Sequence, residues 1–415
     1  MAAVAYSQSL SLASAGETAA TKNTRGPNIY HVVFDGYHGP WLQFGLNELS
    51  MASEVFAGFT HHRSAMANAL PTRIAFPTFL SGTLYSQDIK ISEWLERANK
   101  DNLISDLNKA GYQTSVYAIR ARKGFKAAQK YVEYDAVPPT LIADYWLLRI
   151  LPVAARPLAL KDGAGFASTV AVWLDLGPSG DLRTYHSYQQ FLKFLEDEAS
   201  RPSHGQYVLI HVYPPHPPYQ LDRNGKYVGE SNYREQLLLA TNAMQSSVKR
   251  LKELGKFDES FIILQSDHGS LEALEPADDK SRKYSRRRID DATSTAIAED
   301  NVTGLSGIKL ETIHSALLLT KPPAGCSDEG SHNLVVDDRL VELKALRSFI
   351  ANVREGKSCS YPEVTSVEVI TGLAKQKAGG KFKYVGPDLK QGVVSHYRVD
   401  KDFQWHILDP IPFVY

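Results

Sequence analysis

Cysteine is nearly absent from this 415-residue chain: only Cys326 and Cys359 occur. Two are too few for a disulfide scaffold, and their placement matches no metal-binding spacing. Either they form one bridge in an oxidising compartment or they are two free thiols. Net charge is absent as well. The 46 Lys and Arg balance 46 Asp and Glu, which removes the electrostatic case for non-specific nucleic-acid binding. No run of about 18 apolar residues is present, so no membrane span is expected. The nearest approach, Thr140 to Leu160, is interrupted by Asp144, Arg149, Pro152 and Arg156 and reads as an amphipathic or core helix. No internal repeat is visible. The stretch up to Thr24 lacks a basic n-region and is small and polar, rich in Ala and Ser. It reads as part of a flexible linker, residues 1–26, from whose upstream side a membrane anchor or export signal has been lost.

What is present is enough apolar residue, 43% of the chain, to bury a large core. Strand and helix signals alternate. Leu103 to Ala110 predicts a helix ending at Gly111, and Gln113 to Ala118 a strand. Tyr188 to Ala199 predicts a helix, Tyr207 to Tyr213 a strand, and Tyr233 to Leu254 a long helix closed by Gly255. Phe261 to Leu264 and Ser315 to Thr320 predict strands, and Val335 to Val353 a helix. This rhythm implies an α/β fold: a large, mostly parallel central sheet with helices on both faces, over residues 27–360. From about Pro362 the texture changes. Lys381 to Val385, Gly392 to Val399 and Phe403 to Leu408 predict short strands of a small antiparallel C-terminal appendage, residues 361–415. The polar stretch Glu272 to Gly307 carries Arg286, Arg287 and Arg288 flanked by acids. It is either a solvated loop or a cover over the site that attracts an anionic substrate.

Chemistry gathers at strand ends. Phe261-Ile262-Ile263-Leu264 runs into Gln265-Ser266-Asp267-His268-Gly269, delivering a carboxylate and an imidazole to the carboxyl end of a strand, where open α/β sheets build their sites. Adjacent Asp and His are ready ligands for a divalent metal. A second strand, Asn28 to Phe34, ends in Asp35-Gly36. Either could alone be an ordinary turn. Between them, Asn68-Ala69-Leu70-Pro71-Thr72-Arg73 leads into an apolar run that stops near Gly82. Thr72 there is either a helix cap or a hydroxyl nucleophile at a helix N-terminus suited to an oxyanion. A stiff loop, His211-Val212-Tyr213-Pro214-Pro215-His216-Pro217-Pro218-Tyr219, follows another strand and would orient His216 as a leaving-group acid or oxyanion contact. His314 precedes the run Ser315 to Lys321.

Taken in order, these segments resemble the alkaline phosphatase superfamily in its sulfatase-like branch, which includes sulfatases, phosphoethanolamine transferases and lipoteichoic acid synthases. The resemblance runs from about Asn28 to Pro323. It implies that Asp35, Thr72, Asp267 and His268 hold one metal ion, and that Thr72 is the covalent nucleophile. It implies that His216, His211 and His314 contact substrate or leaving group, with Arg73 and Asn68 as further candidate contacts. The metal would be zinc or manganese; calcium is possible but less suited to a nitrogen ligand. True sulfatases form formylglycine within Cys/Ser-x-Pro-x-Arg. Here Thr72-Arg73-Ile74-Ala75-Phe76 lacks that pattern, which favours phosphoryl chemistry. A second-metal Asp-x-x-x-His set is missing too, since Val212 stands four residues before His216.

The resulting expectation is a periplasmic or other extracytoplasmic hydrolase or transferase of phosphate esters, working on a small-molecule, lipid or glycan substrate near the membrane and not on nucleic acid. Two alternatives remain open at this level: a sulfate or phosphonate ester hydrolase without formylglycine, and a non-catalytic envelope binding protein.

Overall fold

The computed structural model describes residues 26–118 (87 excepted), 125–132, 160–161, 164–165, 182–270, 272, 307–326, 332–374 and 391–414. The expected Thr140 to Leu160 helix (Leu160 excepted), the strand at Lys381 to Val385 and most of the polar stretch lie outside them. In chain order the first half contributes strands β1 (Ile29–Phe34), β2 (Thr60–His62), β3 (Ala65–Met66), β4 (Gln113–Tyr117), β5 (Lys130–Val132), β6 (Leu160–Lys161) and β7 (Ala164–Gly165). Its helices are α1 (Leu42–Glu48), α2 (Thr72–Ser81), α3 (Ile91–Lys100) and α4 (Leu103–Lys109). The second half adds β8 (Gln206–Val212), β9 (Phe261–Ser266), β10 (Leu318–Lys321), β11 (Val335–Asp337), β12 (Val341–Glu342), β13 (Ser366–Ala374), β14 (Gln391–Asp400) and β15 (Trp405–Val414). Its helices are α5 (Arg183–Asp197), α6 (Tyr233–Glu253), α7 (Gly307–His314) and α8 (Leu346–Arg354).

Eight strands form one sheet in the order β11-β2-β10-β9-β1-β8-β4-β5. The run from β9 to β5 is parallel, whereas β10 is antiparallel to both β9 and β2. The centre is apolar on both faces because helices cover both. From β1, Tyr30, Val32 and Phe34 enter a core with Trp41, Phe44, Leu237 and Met244. Ile29 and Val33 enter the opposite one with Phe79, Ile104, Phe349 and Ile350. Each such side chain, fully buried, contributes roughly 1.5–3 kcal/mol. Local signals set the helix ends. Asn102 and Ser105 form a capping box on α4, Asn232 accepts from Glu235 N at 3.0 Å to start α6, and Gly82, left-handed at φ +74°, stops α2.

Two expectations are corrected. The helix predicted over Val335 to Val353 is β11, β12, a short 3-10 turn and only then α8. Asp337 draws the chain out of helical shape: it accepts from Arg339 N at 3.1 Å and from His62 Nδ1 at 3.1 Å. Val335–Asp337 then pairs with β2 at the sheet edge. Helix α5 starts at Arg183, five residues before the predicted Tyr188. The C-terminal strands form an antiparallel three-stranded sheet, β13-β14-β15, which packs on α7 through Val367, Val369, Leu310 and Ile313. Cys326 and Cys359 are disulfide-bonded, which closes the two readings left open. Among the described residues no helix is long and apolar enough to cross a membrane.

Candidate active site

Register builds the site. In the parallel trio β8-β1-β9, Phe34 stands opposite Val212 and Ser266. The next residue of each strand therefore emerges at one edge, which places Asp35 beside Asp267 at the spacing of neighbouring strands, about 4.8 Å. Asp35 N stays bonded to Val212 O at 2.9 Å. Gly36 then turns the chain in a left-handed conformation, φ +71°, that a side chain would strain, and its N–H donates to Asp267 Oδ1 at 3.0 Å.

His268 follows Asp267, and its Nδ1 lies 2.6 Å from Gly269 O. A carbonyl only accepts, so Nδ1 carries a proton and Nε2 is the nitrogen turned to the site. Nε2 lies 3.4 Å from Asp267 Oδ2 and 3.7 Å from Asp35 Oδ1. Thr72 opens α2 directly after Pro71. Its Oγ1 lies 3.4 Å from Asp35 Oδ1 and 3.3 Å from His268 Nε2. The structure thus brings together the four residues that the sequence set apart as a ligand group. The Thr72 hydroxyl stands at the N-terminus of α2, whose first turn is closed by Ile74 N bonding Pro71 O at 2.7 Å.

The electrostatics of the two carboxylates is asymmetric. Burial, reinforced by the charge of Asp35, raises the Asp267 carboxyl above its ordinary range. Burial pushes Asp35 the same way, but the charges of His216, His211 and His268 outweigh it and hold Asp35 low. For His268, burial opposes protonation and the two carboxylates win, raising it. Asp267 Oδ2 is buried and accepts no hydrogen bond, a costly state for a carboxylate. The ligand atoms of Asp35, Asp267 and His268 all lie within 4.8 Å of one another. Two buried carboxylates, an imidazole lone pair and a hydroxyl are the donor set of a divalent cation of the zinc or manganese type, and such an ion would satisfy Asp267 Oδ2.

The other candidates occupy distinct places. His211, on β8, sets Nε2 3.3 Å from Asp35 Oδ2, and its ring is edge-on to Phe76 at 4.7 Å. His216 is half-buried on the proline loop; its Nδ1 lies 2.6 Å from Pro217 O, so Nε2 is its working nitrogen. The first turn of α5 fastens this loop. Thr184 Oγ1 donates to Pro218 O at 2.7 Å, and Ser187 Oγ accepts from Tyr213 N at 2.6 Å. His314 is fully buried, with Nδ1 2.7 Å from Ala67 O and its ring 5.9 Å from Trp405. Burial lowers it to about 4, so it is neutral and braces the chain leading to Thr72. Arg73 is the second residue of α2 and half-buried. Asn68 is buried, donates to Glu342 Oε2 at 2.8 Å and Glu368 O at 3.0 Å, and accepts from Lys344 N at 2.8 Å. Its amide ties the segment before Thr72 to β12 and β13.

One contributor escaped the sequence. Tyr233 OH donates to Gly36 O at 3.1 Å and accepts from His38 N at 3.1 Å. Nothing in the sequence marks it apart from other aromatic residues at helix starts. At Gly269 a Cβ would lie 2.1 Å from Thr312 O, so only glycine lets the loop after His268 meet α7.

The sulfatase family model matches residues 27–291 of the chain. No curated protein is matched. Among solved structures, the phosphonate monoester hydrolase SpPMH from Silicibacter pomeroyi is 12% identical, with 94% of this chain and 89% of that one covered and a TM-score of 0.48. The lipoteichoic acid synthase LtaP from Listeria monocytogenes is 10% identical, covering 93% and 87%, TM-score 0.49. The C-terminal periplasmic domain of EcEptC from Escherichia coli, in complex with Zn, is 12% identical, covering 87% and 92%, TM-score 0.48.

Proposed function

Because the chain belongs to the sulfatase family, whose fold serves hydrolases and transferases of phosphate and sulfate esters, we propose that it transfers a phosphoryl group from a phosphate ester through a phospho-threonine at Thr72. The observation that carries this reading is the position of Thr72 Oγ1, 3.4 Å from Asp35 Oδ1 and 3.3 Å from His268 Nε2 at the start of a helix. A threonine at this place is not a substrate for formylglycine formation, so the hydroxyl itself is the nucleophile.

A divalent zinc or manganese ion held by Asp35, Asp267, His268 and Thr72 would supply the positive charge that acidifies a hydroxyl and neutralises phosphoryl oxygens. The chain supplies the rest. Thr72 Oγ1 forms a bond to phosphorus in line with the leaving oxygen, and its proton is released to solvent. The bond from phosphorus to the leaving oxygen breaks, and protonated His216 donates from Nε2 to the departing alkoxide. In the second half, water or an acceptor hydroxyl attacks phosphorus and gives its proton to His216 Nε2. Thr72 Oγ1 leaves and regains a proton from solvent. The positive end of the α2 dipole, at Thr72, lies on the side where the phosphoryl oxygens would sit.

An extracytoplasmic site of action is part of the proposal. The disulfide Cys326–Cys359 supports it, since such bonds persist in oxidising compartments. The substrate is taken to be a lipid or glycan phosphoester of the cell envelope. The test is trapping. Protein loaded with zinc or manganese is mixed with chromogenic phosphate mono- and diesters, quenched in acid and digested. The peptide holding Thr72 is expected to gain one phosphoryl group. Turnover of phosphate esters without that gain, or turnover of sulfate esters alone, overturns the proposal.

A further inference from the structure

Tyr233 is not a ligand candidate, yet its hydroxyl holds the turn on which the ligands depend. It is the first residue of α6, and its ring is packed edge-on to Trp41 at 6.0 Å and Tyr219 at 6.4 Å. The one polar atom of the side chain spends both its capacities on a single turn. It donates to Gly36 O and accepts from His38 N, each at 3.1 Å. These two groups flank Tyr37, itself fully buried.

The orientation of the Gly36 residue matters directly to the site. Its N–H donates to Asp267 Oδ1 at 3.0 Å, and Asp35 is the residue immediately before it. Holding the Gly36 carbonyl and the His38 N–H together restrains the turn that carries the Gly36 N–H and follows Asp35. The remaining Asp267 oxygen, Oδ2, is the buried one without a hydrogen bond. Partners of this kind, one step behind the ligands, set ligand orientation and hence metal affinity.

We propose that Tyr233 is a positioning residue for the cation site: its hydroxyl, through the Gly36 to His38 turn, sets the affinity of Asp35 and Asp267 for the divalent ion. This rests on the functional reading above only in requiring that a cation bind there. The experiment is chelator competition with zinc or manganese alone, run well below the melting temperature, on unaltered protein, Tyr233→Phe and Tyr207→Phe. Tyr207 is a matched control: it is fully buried and its hydroxyl bonds His31 Nδ1 at 2.9 Å, on the strand pair that starts at the far end of the sheet.

Tyr233→Phe is expected to weaken cation binding about 10- to 100-fold, with Tyr207→Phe binding as the unaltered protein does. Equal affinity of Tyr233→Phe and unaltered protein overturns the proposal, and so does an equal loss in Tyr207→Phe, which would mark general loosening. If the unaltered protein binds no zinc or manganese, this inference and the functional reading fall together. If it binds them and Tyr233→Phe weakens binding, but no ester is turned over, only the functional reading falls.

Discussion

Thr72 Oγ1 and His268 Nε2 lie 3.3 Å apart although 196 residues of chain separate them. The contact joins the start of a helix to the end of a strand, and both are rigidly backed. Gly82 closes α2 behind Thr72, and the Nδ1 bond to Gly269 fixes the imidazole. A hydroxyl held this way has an imidazole nitrogen on one side and a carboxylate on the other.

Replacing Thr72 separates chemistry from cation binding. Thr72→Ala is expected to reduce kcat on a chromogenic phosphate ester by at least about a thousandfold, while Thr72→Ser, which keeps the oxygen, retains activity within about tenfold. Both variants should still take up zinc or manganese through Asp35, Asp267 and His268, as read by elemental mass spectrometry. An active Thr72→Ala enzyme would remove the nucleophile assignment.

The same cluster links stability to the cation. Binding to the folded state alone stabilises by about 2.7 kcal/mol when the free ion is at 100 times its dissociation constant. Chelation should therefore lower the melting temperature of the unaltered protein. Asp267→Asn removes one of the two crowded buried carboxylates. Its melting temperature should be no lower than that of the chelated parent, and it should not respond to added zinc or manganese. Calorimetry with and without chelator decides this.

Acid should weaken the fold before the carboxylates titrate. His31 is fully buried on β1 against Tyr207, and burial lowers it to about 3. Below its unfolded value, near 6.5, the unfolded chain takes up a proton that the fold refuses. Stability therefore falls as pH drops from about 6.5 toward 3, by up to about 1.4 kcal/mol per pH unit. Urea melts at pH 7.5, 6 and 5 should show a shallower decline in His31→Gln than in the parent. Parallel declines would mean that the histidine is protonated in the fold.

Opening the disulfide should cost stability without touching the site. Cys326 and Cys359 are 33 residues apart, and closing a loop of that size in the unfolded chain is worth about 3–4 kcal/mol in the loop-entropy picture. The Cys326→Ser, Cys359→Ser double variant should unfold at correspondingly lower urea concentration. Its activity at low temperature should match the parent.

The site was readable from the sequence to the extent that it sits at the ends of buried strands. Val32-Val33-Phe34 and Ile262-Ile263-Leu264 have the β-rich, uninterrupted apolarity of strands covered on both faces, and a carboxylate directly after such a run has few places to be. Elements that rely on partners were not readable. β2 is Thr60-His61-His62, polar in sequence and a strand only because β10 and β11 flank it. Val335 to Val353 carries apolar residues at spacings that satisfy a helix, and only the pairing of Asp337 with His62 shows why its first part is extended. Asn68, a candidate substrate contact, stands four residues before Thr72. Its bonds to Glu342, Glu368 and Lys344 come from chain more than 270 residues away. Local pattern carries no information about such distant partners.

At Gly269 the backbone of the loop after His268 meets the end of α7 with no side chain between them. Gly269 N bonds Ile313 O at 2.8 Å, and any Cβ would strike Thr312 O at 2.1 Å. A side chain at that position would push the loop, and His268 with it, off the end of α7. The imidazole thus keeps its place because a residue beside it has nothing to add.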